Sequence, residues 1–196
     1  AAVGAPRFLV SPTGCEHGKL GVMSRHAAAP ELRTERLVLK GHALSDFEDL
    51  AAMWADPEIV RFIGGRPSTR EESWARLMRY GGFWSLLGYG FWCARTHEGR
   101  YVGDLGLLNG GRDLDPPFGD TPEAGWSLAP WAQGQGFAAE AMRAVLAWAD
   151  ANGIGRTVCM IEPGNGPSVR LAERLGYAQF ALTRYHGAEI ALFERG

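Results

Sequence analysis

The segment Gln133-Gly134-Gln135-Gly136-Phe137-Ala138 places two glycines directly before a stretch, Phe137 to Ala151, whose Ala138, Ala141, Met142, Val145 and Leu146 fall at helical spacing. The first turn of a helix leaves backbone N–H groups unpaired, and the positive end of the helix dipole lies there. Glycine lets the chain come close to a bound group and take dihedrals that other residues avoid. A loop of this kind suits an anion, and a pyrophosphate is its natural guest. The same two glycines would also serve a plain strand-to-helix turn.

The residues around the glycines separate the nucleotide readings. A Walker A loop requires Lys-Ser or Lys-Thr after its last glycine, and Phe137-Ala138 stand there instead. A dinucleotide fingerprint fits better: Gly134-Gln135-Gly136-Phe137-Ala138-Ala139 follows G-x-G-x-x-A, and Glu162 ends the next strand-like run, where a ribose-binding acid belongs. That fingerprint normally follows its strand almost at once and opens its domain. Here Ala129 to Gln133 intervene and several elements come first. An NAD(P)-binding oxidoreductase of Rossmann type stands as the alternative.

The elements that must position this loop are legible from local signals. Arg36 to Lys40 alternates as a first strand. Ser45 followed by Glu48 reads as a capping box for a helix through Leu50, Ala51 and Trp54, and Pro57 suits the first turn of a short second one. Thr69 with Glu72 is another capping box, opening a helix that carries Trp74, Leu77, Met78 and Trp84 on one side. Tyr89 to Arg95 and Tyr101 to Leu107 read as a hairpin, Asn109 to Pro122 as a loop, and Glu123 to Leu128 as a short strand. After the glycine-led helix, which Asn152-Gly153 ends, Thr157 to Ile161 is a buried strand. Asn165 opens a helix that Gly176 closes, and Tyr177 to Phe193 is two strands turning at His186-Gly187. The order is β-α-α-α-β-β-β-α-β-α-β-β, a single mixed α/β domain over residues 30–196. The unit from Glu123 to Ile161 should be a right-handed crossover between parallel strands. Residues 1–29 read as an extension outside the domain, disordered or foreign to the natural chain, with Met23-Ser24 as a candidate natural start.

Composition narrows the classes. The chain has 196 residues, a net charge of −2 and 21% charged residues, which is not the basic footprint of a nucleic-acid-binding domain. No apolar run approaches the roughly 18 residues of a membrane span. Cys15, Cys93 and Cys159 are widely spaced with no CxxC pair, so neither a disulfide framework nor a metal site is expected, and the compartment expected is the cytoplasm.

Taken with its neighbours, the loop matches the Q/R-x-x-G-x-G/A signature of the GNAT N-acetyltransferases. The chain resembles their Rim-type branch, named for enzymes that acetylate ribosomal-protein N-termini, over roughly Leu32 to Glu194. Leu32 to Leu39 looks like that branch's opening strand. Tyr89-Gly90-Phe91-Trp92, Glu123-Ala124-Gly125-Trp126-Ser127-Leu128-Ala129-Pro130, and Asn165-Gly166-Pro167-Ser168 followed by Ala172 to Tyr177 resemble its later blocks, in order and spacing.

The resemblance implies a central mixed, mostly antiparallel sheet of about seven strands, splayed at the cofactor site and flanked by helices. It implies acetyl-CoA as acyl donor, no metal, and direct transfer to a primary amine, either a peptide N-terminus or a small molecule. Carried over residue by residue, Trp126, Ser127 and Leu128 would offer backbone groups to pantetheine, and Gln133, Gly134, Gln135, Gly136, Phe137 and Ala138 would hold the pyrophosphate. Asn165 matches a position that reaches the pantetheine arm, although its type and place also make it a helix N-cap. Glu123 resembles the family's strand glutamate near the acetyl group and is the candidate base; a solvated strand-end charge is the plainer reading. Many relatives carry a tyrosine where this chain has Ala172, so the usual acid for the departing thiolate is missing. Ser168 matches a serine near the sulfur, with Tyr177 and Tyr185 as weaker alternatives. Trp84, Tyr89, Phe91 and Tyr185 are expected to line the acceptor pocket, in a monomer or homodimer. A CoA-binding module without turnover is a further alternative.

Overall fold

A computed structural model describes residues 27–196; most of the expected N-terminal extension, together with Cys15, lies outside the described residues. The segment expected to be one opening strand is instead a tight hairpin, β1 (Leu32–Arg33) and β2 (Leu37–Lys40). The Thr34 hydroxyl accepts the Leu37 N–H at 3.0 Å and bends the chain. Glu140, one turn into the glycine-led helix, then fastens the bend. It accepts from the Thr34 hydroxyl at 2.6 Å, from the Arg36 N–H at 2.8 Å and from Arg36 Nε at 2.7 Å. Burial works against the Glu140 charge, yet those donors outweigh it and hold its carboxyl below the usual range.

The helices α1 (Phe47–Trp54), α2 (Pro57–Val60) and α3 (Arg70–Leu87) come next. Ser45 does not cap α1. The Asp46 carboxylate takes the Ala43 N–H at 2.8 Å and bonds Arg95 at 2.7 Å, so a single 3₁₀ turn, Leu44–Asp46, precedes the helix. The box at α3 forms as read, with Thr69 Oγ1 accepting from the Glu72 N–H at 3.2 Å and Glu72 accepting from the Thr69 N–H at 2.8 Å. Its apolar side is rotated from the expected one: Leu77, Tyr80 and Trp84 are buried, while Trp74 and Met78 are exposed.

Strands β3 (Phe91–Thr96), β4 (Tyr101–Leu108) and β5 (Glu123–Leu128) follow, then α4 (Phe137–Ala151), β6 (Thr157–Ile161), α5 (Gly166–Arg174), β7 (Ala178–Tyr185) and β8 (Ala188–Arg195). They build an eight-stranded sheet in the order β1-β2-β3-β4-β5-β6-β8-β7. The two-residue β1 is the strand beyond the expected seven. Every neighbouring pair is antiparallel except β5 and β6. Alternation along β3 separates the two faces. Trp92 and Ala94 join the core under α4, built on Phe137, Ala141, Met142, Val145, Leu146 and Ala149. Phe91 and Cys93 join the core under α1 and α3. Full burial of a Met142 or Val145 contributes about 1.5–3 kcal/mol each, so α4 is anchored firmly behind its first turn.

A buried polar cluster ties α1 to the sheet. Asp104 on β4 is fully buried and bonds His42 Nε2 at 2.8 Å, the Tyr101 hydroxyl at 2.7 Å and Trp54 Nε1 at 3.4 Å. Burial, reinforced by the Asp104 carboxylate, pushes the Tyr101 hydroxyl well above its ordinary pKa and keeps it a donor. Cys93 and Cys159 are free and buried, and burial raises both thiols. Among the described residues no helix is long and apolar enough to cross a membrane, and no group of three metal-binding side chains gathers.

Candidate functional site

Strands β5 and β6 run parallel but meet only at Glu123 opposite Val158. Beyond that pair they diverge, and from Ala124 onward the β6-facing edge of β5 has no strand partner. A 3₁₀ turn, Pro130–Ala132, and the glycine loop then carry the chain into α4. Gly134 and Gly136 both sit in the left-handed region, with φ of 73° and 82°. Gly136 is the N-cap of α4 and supplies no side-chain cap, so the first N–H groups of the helix point outward unclaimed by any side chain. Side chains brace the loop from outside. Gln133 Nε2 donates to the Leu128 carbonyl at 3.1 Å, Gln135 Nε2 to the Trp131 carbonyl at 2.5 Å, and Arg36 to the Gln135 carbonyl at 3.0 Å.

On the far side of the gap, Asn165 is the N-cap of α5, its Oδ1 accepting the Ser168 N–H at 3.3 Å. Trp126 reaches across from β5, and its indole N–H donates to Ser168 Oγ at 3.2 Å. The hydroxyl hydrogen of Ser168 is thereby left for another acceptor. Between these walls lies a cleft of about 620 Å³, lined by Trp126, Ser127, Leu128, Gln133, Gly134, Gly136, Phe137, Ala138, Asn165 and Ser168. Of the residues singled out for cofactor contact, only Gln135 is outside the lining; it shapes the loop. Arg61, Phe62 and Ile63 just after α2, with Arg170 and Arg174 on α5, also line the walls and were missed from sequence. Three arginines against one acid, Glu58, give the cleft a positive bias that favours phosphate. The signal that could have found two of them is the i, i+4 spacing of Arg170 and Arg174, which puts both on one side of α5.

Glu123 is 5% exposed and lies where the two strands still touch. It does not line the larger cleft. Both of its oxygens are held by Arg112, from Nε at 2.5 Å and from the other fork nitrogen at 2.7 Å, and the pair forms part of a second cleft of about 310 Å³ under the loop that joins β4 to β5. Burial disfavours the Arg112 charge, but the Glu123 bond and charge prevail and raise its pKa. Arg112 also approaches the Tyr185 hydroxyl at 3.5 Å.

The aromatic residues expected in an acceptor pocket divide. Trp84 belongs to the core: its indole donates to the Phe91 carbonyl at 2.9 Å and its ring meets Trp92 and Trp148 edge-on. Phe91 stacks on Tyr80 at 4.8 Å and is equally a core residue. Tyr89 is buried, and burial with the nearby Asp120 carboxylate raises its hydroxyl. Tyr185 alone of the four hydrogen-bonds a charged group of a cleft, Arg112. The Tyr177 hydroxyl is buried and paired with Thr157 Oγ1 at 2.6 Å, and the residue is not part of the larger cleft's lining. Ala172, on α5, is fully buried.

The profile described as an acetyltransferase (GNAT) domain matches residues 36–178. A chain described as a GNAT-family acetyltransferase from Bordetella pertussis is 36% identical, covers 86% of this chain and all of its own, and superposes with a TM-score of 0.76. The chain belongs to the GNAT acetyltransferases. An acetyltransferase from Agrobacterium tumefaciens str. C58 is 27% identical over 93% of this chain and 99% of its own, with a TM-score of 0.74. The uncharacterized N-acetyltransferase p20 of Bacillus licheniformis is 27% identical across 78% of this chain and 85% of its own. Membership makes the protein an N-acetyltransferase of the GNAT family. The Rossmann alternative falls with it, since that fold needs a mostly parallel sheet and among the described residues only β5 and β6 pair in parallel.

Proposed function

We propose that the protein transfers an acetyl group from acetyl-CoA to a primary amine, held in the gap between β5 and β6. The observation that carries this reading is the divergence of the two strands beside an uncapped α4 N-terminus. Open strand edges suit amides, and unclaimed helix N–H groups in a positively biased cleft suit a pyrophosphate. Gln133 to Ala138, Asn165 and the edge of β5 through Leu128 would hold the donor. Bound there, acetyl-CoA supplies a thioester carbonyl as the electrophile.

The protein's own groups then do three things. Walls on both sides of the gap align the reactants, and positioning alone supplies much of the rate. Glu123, directly or through a water, takes a proton from the attacking amine. N–H groups on the open edge of β5 face the carbonyl oxygen as charge develops on it. As the C–N bond forms, the C–S bond breaks and its electrons go to sulfur; Ser168 passes a solvent proton to that thiolate.

Thiol release from acetyl-CoA, measured across a panel of small amines and N-terminal peptides, tests the reading. Release that depends on added amine is expected, and Ser168→Ala should lower kcat about a hundredfold with little change in acetyl-CoA affinity. A chain that binds acetyl-CoA and releases no thiol with any amine would be a binding module instead. An unchanged kcat in the serine variant would leave Ser168 only its place on the α5 cap.

A further inference from the structure

We infer that the acceptor is a small amine carrying its own carboxylate close to the nitrogen, recognised by exchange of the Arg112–Glu123 ion pair; this rests on the acetyl-transfer reading above.

Glu123 heads β5, and Trp126, Ser127 and Leu128 of that strand wall the donor cleft. Its side chain is 6% exposed and that of Arg112 24%. Both carboxylate oxygens are engaged by one guanidinium fork in a nearly closed site, so an amine that reaches Glu123 competes with Arg112 for it. An acceptor that brings only an ammonium group would displace Arg112 and strand it. The remaining partner would be the Tyr185 hydroxyl at 3.5 Å, a neutral group at the edge of hydrogen-bond range. Removing one partner of a buried ion pair costs more than the pair contributes, because the other charge stays behind unmatched. An acceptor with a carboxylate beside its ammonium avoids that cost: the ammonium meets Glu123 as the carboxylate meets Arg112. A planar guanidinium accepts a carboxylate in the same two-pronged geometry it now uses for Glu123.

The surroundings fit this exchange. Arg112 folds back over Gly110, where a Cβ would stand 3.1 Å from both its Cγ and its Nε, so the loop leaves room for this placement of the arginine. The cleft is about 310 Å³, at the small end of the roughly 300–1,000 Å³ usual for ligand pockets, which points to a molecule of amino-acid size. The other charge on its wall, Asp120, is exposed and screened by solvent. A peptide N-terminus has no carboxylate so near its amine, and a polyamine has none.

The test compares glycine, alanine, methionine and phenylalanine, each with its own amide, as acceptors for the full chain with acetyl-CoA. Each amide has more free amine at neutral pH, so intrinsic reactivity runs against the expected result. The acids should exceed their amides about tenfold in kcat/KM, reflecting a charge-assisted bidentate contact. Arg112→Met should bring the ratio close to one, and Arg112→Lys should leave it intermediate. Because the ratio is read within each variant, a partial loss of folded protein does not move it, and the wild-type ratio stands if a variant fails to fold. Amides or longer peptides used as well as the acids, or an Arg112→Met ratio equal to wild type, would overturn the inference. So would absence of turnover with the whole panel. Thermal protection by acetyl-CoA and the wider amine panel then separate the two failures: if protection persists and another amine supports thiol release, the acceptor class is wrong; if no amine does, or protection is lost, the acetyl-transfer reading fails as well.

Discussion

Ala138→Asp is expected to weaken acetyl-CoA binding about a hundredfold, roughly 2.7 kcal/mol, while leaving the free chain at least as stable. Ala138 is the second residue of α4, half-buried, and lines the larger cleft. A carboxylate there faces the unclaimed N–H groups and the positive end of the helix dipole. Acidic groups in the first turn stabilise a helix by about 0.3–1 kcal/mol. The same carboxylate occupies donors proposed for the pyrophosphate and adds a like charge beside it. The two effects have opposite signs, which makes the variant informative: ordinary damage to a binding site lowers stability and affinity together. Calorimetric titration with acetyl-CoA, alongside a thermal melt of the free chain, reads both. A melt that falls with affinity would mean the aspartate disturbed packing; affinity equal to wild type would move the phosphate away from α4.

Glu123→Gln is expected to lower kcat/KM for the amine by about 10²–10³-fold, within the usual range for a lost general base. Glutamine keeps the shape of the side chain and one acceptor for Arg112, but it cannot take a proton at neutral pH. The larger cleft is lined by other residues, so acetyl-CoA affinity should stay near wild type. This separates two roles for Glu123. As a base it governs rate and leaves donor binding alone. As a mere anchor for Arg112 it would govern stability, and the substitution would shift the melt while leaving the rate within a few-fold of wild type. Steady-state kinetics and a melt on one preparation decide between them.

What could be read from sequence depended on distance along the chain. The Thr69 and Glu72 box, Asn165 as a cap three residues before Ser168, and the turn at His186-Gly187 are interactions between near neighbours, and each formed as expected. Ser45 failed for the complementary reason. Its neighbour Asp46 is drawn to Arg95, 49 positions away, and that contact has no local signature. The opening hairpin was lost in the same way, because Glu140, more than a hundred residues on, holds Thr34 and Arg36 in their bend.

The site shows the same division. The glycine loop, the β5 block and the α5 cap are contiguous motifs, and they come together around a single cleft. Arg112 lies in a loop rich in glycine, aspartate and proline, where an arginine reads as a solvated charge; only folding sets it against Glu123 and Tyr185. Trp84 and Phe91 illustrate the reverse error. An aromatic run beside a proposed pocket has the composition of a pocket wall and of a core alike, and here Trp84 and Phe91 fill the core on either face of β3.

The central claim is that the gap between β5 and β6, with the α4 N-terminus at its end, takes acetyl-CoA. Titration of the wild-type chain with acetyl-CoA and, in parallel, with NADH and NADPH tests it most directly. Saturable binding and thermal protection by acetyl-CoA, with neither from the nicotinamide cofactors, is the predicted result. Protection by NADH or NADPH without any by acetyl-CoA would contradict it.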